Sequence, residues 1–328
     1  APYGLAPVLG ECGTVGAGFA LGGGLGFISG KYGASCDNLL SSKIITADGR
    51  KLVVNASTSQ DLYWGIRGGG GNFGVATTLE YKLHPLKSMI AGGFIYSFSK
   101  ARDLLRFFRE YMSNAPDELQ AECYLTTNGN GLFEVDFVYI GNLEDGEKLI
   151  NSFRKFSKPD QDSIKRRSFS EVYQVESGDT KNECAFESSK GHYIRELSNE
   201  VIDLIIDRFK ERPPSCEMNF NFSHYMHGEV CRISPGTTAF ELRESGALHI
   251  PSWIRWKDSG DTKACMNWHD KTFELLLPYS GGRVYANFMS AKSDSTAIFG
   301  QNHSRLVELK RKYDPENFFH LNANIVPT

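Results

Sequence analysis

Hydrophobic and polar positions change rhythm several times along the chain, and each change predicts an element. Residues 39–46 and 51–55 predict two strands, joined by Ala47-Asp48-Gly49-Arg50 as a hairpin turn. Residues 59–64 suit a short helix capped near Ser57 or Thr58. Residues 75–83 alternate as a strand that His84-Pro85 ends. Beyond that lie a strand at 89–99, an amphipathic helix at 100–114, strands at 122–127 and 132–140, and a helix at 143–156. The stretch 158–190 is charged and aperiodic and predicts a loop. Val201, Leu204, Ile205 and Phe209 stand at helical spacing within 196–212. Strands at 216–226 and 248–256, a helix at 270–277, a strand at 283–289 and a helix at 302–311 complete the series before a proline-bearing tail. Helices and strands mix without strict βαβ alternation, so the expected fold class is α+β. No internal repeat is visible.

Composition narrows the setting. With 328 residues, 41% hydrophobic and 23% charged, the chain is long enough and apolar enough for a sizeable core. A net charge of -3 gives no electrostatic case for nucleic acid. The basic run Lys310-Arg311-Lys312 reads as a solvated helix face. No apolar run reaches the ~18 residues of a membrane span. The chain starts at Ala1 and has no basic residue before its first apolar stretch, so its opening residues are not expected to be a secretory leader. Seven scattered cysteines contain no C-x-x-C pair, and no metal site is expected. Sequons at Asn55, Asn221 and Asn302 permit secretion without requiring it, and localisation stays open.

Candidate chemistry begins with glycine. Residues 10–30 read GECGTVGAGFALGGGLGFISG, a density that helix and strand interiors both resist. Such backbone suits turns that approach a ligand closely. Gly16, Gly18 and Gly22 nearly make a dinucleotide fingerprint, with Asp37 downstream, but the spacing is off and no convincing strand precedes it. A nicotinamide dehydrogenase is therefore a minor reading. The run Arg67–Gly74, RGGGGNFG, carries the same implication for a second loop. Cys12, flanked by glycine in such a loop, is a candidate reactive thiol. In the tail, Asn322 and Asn324 alternate with Ala323 and Ile325 and offer amides to a heteroatom-rich ligand.

Four ordered segments together resemble the berberine bridge-like oxidases. They are residues 12–38 (CGTVGAGFALGGGLGFISGKYGASCDN), 48–83 (including DLYWGIRGGGGNFGVATTLEYKL), 284–287 (VYAN) and 302–327 (NHSRLVELKRKYDPENFFHLNANIVP). The stretch 235–255 resembles the family's substrate domain less specifically. The resemblance implies an FAD domain of two lobes and a substrate domain with a large antiparallel sheet flanked by helices. Residues 1–86 would be the second FAD lobe, 87–280 the substrate domain, and 281–328 a return to the FAD domain. FAD is the implied cofactor, with expected contacts at Cys12, Thr14, Val15, Gly16, Gly18, Gly22, Gly23, Gly24, Gly71, Asn72, Gly74, Val75, Asn322 and Asn324. Cys12 stands where family members attach the flavin through cysteine.

The family's second attachment point, a histidine in an R-x-G-G-H-like loop of the first lobe, has no counterpart here. Three explanations stay open: an incomplete piece of a longer enzyme, a separate chain carrying the first lobe, or a truncated protein that has lost flavin. Phe288 occupies the position where several plant members carry a tyrosine base, and phenylalanine cannot take a proton. The candidate catalytic residues are therefore Tyr285, Asn287, Tyr225 and His227, with Glu122 and Glu229 also considered. Strand alternation would put Glu122 and Tyr124 on one face, and Tyr225, His227 and Glu229 on another. The implied reaction moves a hydride from a C–H of a sugar or secondary metabolite to flavin N5, with dioxygen as final acceptor. The alternative is a flavin-free homologue acting as a binding module or non-redox cyclase or isomerase. Small-molecule substrates are the expected partners, with no membrane involved.

Overall fold

The computed structural model describes residues 3–13, 15–86, 88–127, 131–173, 184–289, 294–321 and 323–328. The chain divides into two compact units. One comprises Ala1–Lys87, Gly228–Arg243 and Arg283–Thr328; the other comprises Ser88–His227 and Glu244–Gly282.

The first unit is built on the expected hairpin. Strand Leu39–Ile45 lies between Lys51–Asn55 and Val75–Tyr81 in an antiparallel three-stranded sheet. Leu39, Ile44 and Val54 on this sheet join Leu62, Trp64 and Phe73, and Leu306 and Leu309 from helix His303–Tyr313, in one buried cluster. Helix Gln60–Ile66 follows Ser59, which takes a left-handed φ of 49° at its cap. Segment 228–243 belongs to this unit through polar contacts. Trp64 Nε1 donates to Gly236 O at 2.7 Å, Arg67 donates to Thr237 O at 2.9 Å, and Arg243 forms a buried ion pair with Asp37.

The second unit is a large antiparallel sheet. Its longer strands run in the order Met89–Ser97, Leu132–Tyr139, Leu119–Thr126, Glu217–Phe222, Leu248–Trp256 and Phe186–Ile194, the last at one edge. Alternation explains its burial. Ala121, Cys123 and Leu125, with Phe133, Val135 and Phe137, point into a core closed by helices Ala101–Ser113, Leu143–Phe156, Asn199–Lys210 and Thr262–Ser280. Leu104, Leu105, Phe108 and Met112 give the first of these helices its apolar stripe. Asn142 Oδ1 accepts from Glu144 N and Asp145 N and starts the second. The opposite sheet face carries Gln120, Glu122 and Tyr124. The fold is thus α+β, and among the described residues no helix is long and apolar enough to cross a membrane.

Four expectations change. Stretch 158–190 is not simply a loop, because Gln161–Asp162 and Lys165–Arg167 pair with Met89–Ser97. Phe186 also opens a nine-residue strand along Leu248–Trp256. That strand ends the sheet and has exposed charged positions, so apolar alternation never marked it. Residues 174–183 lie outside the described residues. Strand 216–226 stops at Phe222; His224 takes a φ of 52° and Gly228 a φ of 66° before the turn Glu229–Arg232. Tyr225, His227 and Glu229 consequently share no strand face. Helix 270–277 is the core of the longer Thr262–Ser280, which tolerates Pro278 near its end and stops at Gly281 in a left-handed conformation. Residues 283–289 form a short 3-10 turn, Ala286–Phe288, instead of a strand, since the Tyr285 side chain is drawn into the glycine loop described next.

Candidate functional site

Two glycine loops meet in the first unit. Gly68 N and Gly70 N both donate to Leu21 O, at 2.9 and 3.2 Å, which ties the 68–74 loop to the end of helix Ala17–Leu21. The loop after that helix is pinned in turn: Ser35 N donates to Gly24 O and Cys36 N to Gly23 O, at 2.7 and 2.9 Å. Gly23 and Gly24 take φ values of +124° and +77°, which a side chain would strain. A Cβ at Gly23 would strike the Phe240 ring, and one at Gly24 the Ser35 side chain.

Tyr285 and Asn287 complete this corner. Tyr285 is 2% exposed, and its hydroxyl accepts from Gly24 N and Leu25 N, both at 3.1 Å, and from Asn287 Nδ2 at 3.0 Å. Burial pushes the phenol well above its ordinary range, although these donors favour the ionised form. Asn287 Nδ2 also donates to Phe19 O at 2.9 Å, and its Oδ1 lies over Gly22.

Asn72 and Lys310 fasten the second loop to the C-terminal tail. Asn72, 3% exposed, donates to Gly69 O at 2.9 Å and Ala323 O at 2.8 Å and accepts from Ile325 N at 3.0 Å. Lys310 Nζ donates to Asn72 O, Asp314 Oδ2 and Phe319 O, at 2.8, 2.7 and 2.6 Å. Asp314 also accepts from Phe318 N and Phe319 N, at 2.7 and 2.8 Å. Lys310 and Asp314 are both fully buried, so the solvated basic face expected at 310–312 holds only for Arg311 and Lys312. The buried ammonium finds a matching carboxylate and two carbonyls, which is what makes its burial tolerable.

These segments surround a cleft of about 730 Å³, a size that suits a cofactor. Gly18, Gly22, Gly71, Asn72, Gly74, Val75 and Asn287 from the sequence reading line it together. Phe299, Phe318, Phe319, His320, Leu321 and Ala323, not anticipated as contacts, also line it. The pair Phe318-Phe319 was visible as an apolar run, but His320 alone carried no signal. Cys12 is exposed, and its carbonyl accepts from Val15 N in a turn that leads to Gly16. Asn324 Oδ1 is buried without a hydrogen-bond partner among the described residues. Thr14 and Asn322 lie outside the described residues. Tyr225 and His227 belong to the second unit, where Tyr225 packs edge-on against Phe108 and His227 Nε2 lies 3.3 Å from Gln120 Oε1.

The cleft wall can be tested for a cofactor's presence. A Cβ at Gly18, Gly70 or Gly71 would meet no protein atom within 4 Å. At Gly18 and Gly71, neither packing nor a positive φ asks for glycine. Side chains there would instead fill the cleft. A bare wall of backbone, with amides at its edges, fits a flat, heteroatom-rich dinucleotide such as FAD.

Comparison with known proteins gives the same direction. Residues 284–326 match the family described as "Berberine and berberine like". An FAD-linked oxidoreductase from Dictyostelium discoideum is 29% identical over 315 residues, covering 94% of this chain and 68% of that protein. (R)-6-hydroxynicotine oxidase from Paenarthrobacter nicotinovorans is 27% identical, over all of this chain and 74% of that protein. Among solved structures, 6-hydroxy-D-nicotine oxidase from Arthrobacter nicotinovorans superposes with a TM-score of 0.87 at 25% identity, over 100% of this chain and 75% of that one.

Proposed function

Because this chain belongs to the berberine bridge enzyme-like, FAD-linked oxidoreductases, we propose that it oxidises a C–H bond of a sugar or secondary metabolite, with dioxygen as final acceptor. When bound, FAD supplies the two-electron acceptor for that bond. The observation that carries the reading is the bare wall at Gly18 and Gly71, where side chains would be accommodated by the fold and excluded only by a ligand.

The chain's own residues bind and position. The loops at 16–24 and 68–74 bring backbone close to the cofactor, and Asn72 holds the second loop against the tail. Asn287 presents a fixed amide to the cleft. Tyr285, engaged by three N–H donors, acts as a positioning residue that shapes the loop Gly22–Leu25 and is a poor proton acceptor. Tyr225 and His227 are the proposed substrate-contacting groups of the second unit. Cys12 is the proposed attachment point for the flavin; its exposure supports access by the ring. The relatives extend beyond the share this chain matches, and the proposal includes a first FAD lobe, on the same or another polypeptide, as a partner in binding.

Absorbance spectra before and after acid precipitation test this reading. A flavin spectrum that stays with the pellet, and is lost from the pellet in Cys12→Ala, is the expected result. A chain that remains colourless after incubation with FAD, with the first-lobe segment supplied, would sink it.

A further inference from the structure

Two of the chain's seven cysteines meet inside the second unit. Cys216 stands immediately before strand Glu217–Phe222, and Cys265 closes the first turn of helix Thr262–Ser280. The sheet and the helix bring them together. Glu217 pairs with Arg255 in the antiparallel ladder, so Cys216 reaches the end of strand Leu248–Trp256. Trp256, the last residue of that strand, donates from Nε1 to Thr262 Oγ1 at 2.8 Å and fixes the start of the helix there. Cys265 follows Thr262 by one turn and shares its helix face. The result is direct contact: the Cys216 and Cys265 side chains are hydrogen-bonded to each other, and Ser215 bonds to Cys265 as well.

Both positions are firmly held. Cys216 N donates to Pro213 O at 2.9 Å. Trp268 Nε1 donates to Arg208 O at 3.1 Å, and Arg208 donates to Thr272 Oγ1 at 3.0 Å, which locks the helix against Asn199–Lys210. Cys216 is 2% exposed and Cys265 0%. Burial pushes both thiols up, Cys216 to about 12. Exchange with a disulfide needs a thiolate and access, so the folded pair reacts slowly and the productive moment is folding itself.

We propose that Cys216 and Cys265 are partners in a disulfide that ties strand Glu217–Phe222 to helix Thr262–Ser280. Sulfurs already in contact on packed elements need only a small approach to reach bonding geometry. The oxidant is an external disulfide, for which glutathione disulfide serves as the probe. One cysteine thiolate attacks it, releasing one glutathione thiol and leaving a mixed disulfide. The second cysteine thiolate then displaces the other glutathione. The two cysteines together lose two electrons and two protons, and one glutathione disulfide becomes two thiols. The proposal does not depend on the FAD reading.

The experiment compares two preparations of the full chain, one purified without reductant and one refolded from urea into mixed oxidised and reduced glutathione. Each is alkylated in urea, digested without reductant and read by mass spectrometry. The expected result is a pair of peptides joined through Cys216 and Cys265, neither carrying the alkyl label. The bond closes a loop of about 50 residues, and its reduction should lower the calorimetric melting temperature of the second unit by about 10 °C. In Cys216→Ser the joined pair should vanish, Cys265 should take the label, and reductant should leave the melt unchanged. Alkyl label on both cysteines in both parent preparations overturns the proposal, whether or not Cys216→Ser folds. A bond from either one to a different cysteine also overturns it, as does a parent melt that reductant does not move.

Discussion

The amide of Asn287 occupies the space that a side chain at Gly22 would need. A Cβ there would press on Oδ1 and dislodge the Nδ2 bonds to Phe19 O and Tyr285. Gly22→Ala should therefore cost about 1–3 kcal/mol, the usual range for overpacking. Asn287→Ala in the same chain should remove the clash. Thermal melts of both single variants and the double will show strong non-additivity, with the double no worse than Asn287→Ala alone. Simple additivity would mean that the two residues do not share this space.

Gly71 and Gly68 sit three positions apart and should behave oppositely. Gly68 has a φ of +121°, and a Cβ would run into the Phe240 backbone, so Gly68→Ala should unfold or severely destabilise the first unit. Gly71 has open space and no positive φ, so Gly71→Ala should leave the melting temperature within the equivalent of about 0.5 kcal/mol. It should nonetheless weaken FAD binding. Calorimetric melts and flavin titration of the two variants separate architecture from ligand; unchanged FAD affinity in Gly71→Ala would count against the cleft assignment.

Much of this frame is legible in the sequence because it depends on local pattern. Strand Leu248–Trp256 and helix Leu143–Phe156 have the bounds that their hydrophobic spacing predicts. The RGGGGNFG run also reads as a loop of close backbone approach, and Gly68 to Gly71 line the cleft. Where the reading failed, partners far along the chain decide the outcome. Phe186–Ile194 is a strand because Leu248–Trp256 offers it a ladder, and its own side chains give no alternation. Tyr285 leaves the expected strand because Gly24 and Leu25 hold its hydroxyl. Lys310 looks like its solvated neighbours until Asp314 and two carbonyls enclose it.

The Lys310–Asp314 pair should make the first unit acid-sensitive. Burial alone would push the Asp314 carboxyl up, but Lys310 and the N–H groups of Phe319 and Phe318 hold it below its ordinary value. A depressed carboxyl contributes its full stability above the unfolded value of about 4, and loses it as pH falls through the lower folded value. Asp314→Asn should flatten the fall in melting temperature below pH 4. Lys310→Met, which strands a buried carboxylate, should cost about 3–5 kcal/mol at pH 7 by denaturant unfolding.

Asp136 predicts the reverse trend in the second unit. Although the Asp136 side chain is exposed at the sheet surface, the protein crowded around it, together with the charges of Glu122 and Glu134, pushes its carboxyl up to about 6. Its contribution is therefore fully present below the unfolded value of about 4 and is lost as pH rises through 6. Asp136→Asn should raise the melting temperature at pH 7.5 more than at pH 4.5. Melts at the two pH values check this, and an equal effect at both would show that the Asp136 carboxyl is not raised in the folded protein.

The bond from Gly24 N to the Tyr285 hydroxyl joins residues 261 positions apart. On a ribosome the glycine loop would wait, unclosed, through synthesis of the whole second unit. Loop closure over such a span is slow and entropically unfavourable until neighbouring contacts reward it. The second unit can collapse around its own helices while the cleft is still two loose ends. The cleft should accordingly be the last region to become protected from hydrogen exchange during refolding, and the step most open to help from a ligand that favours its finished shape.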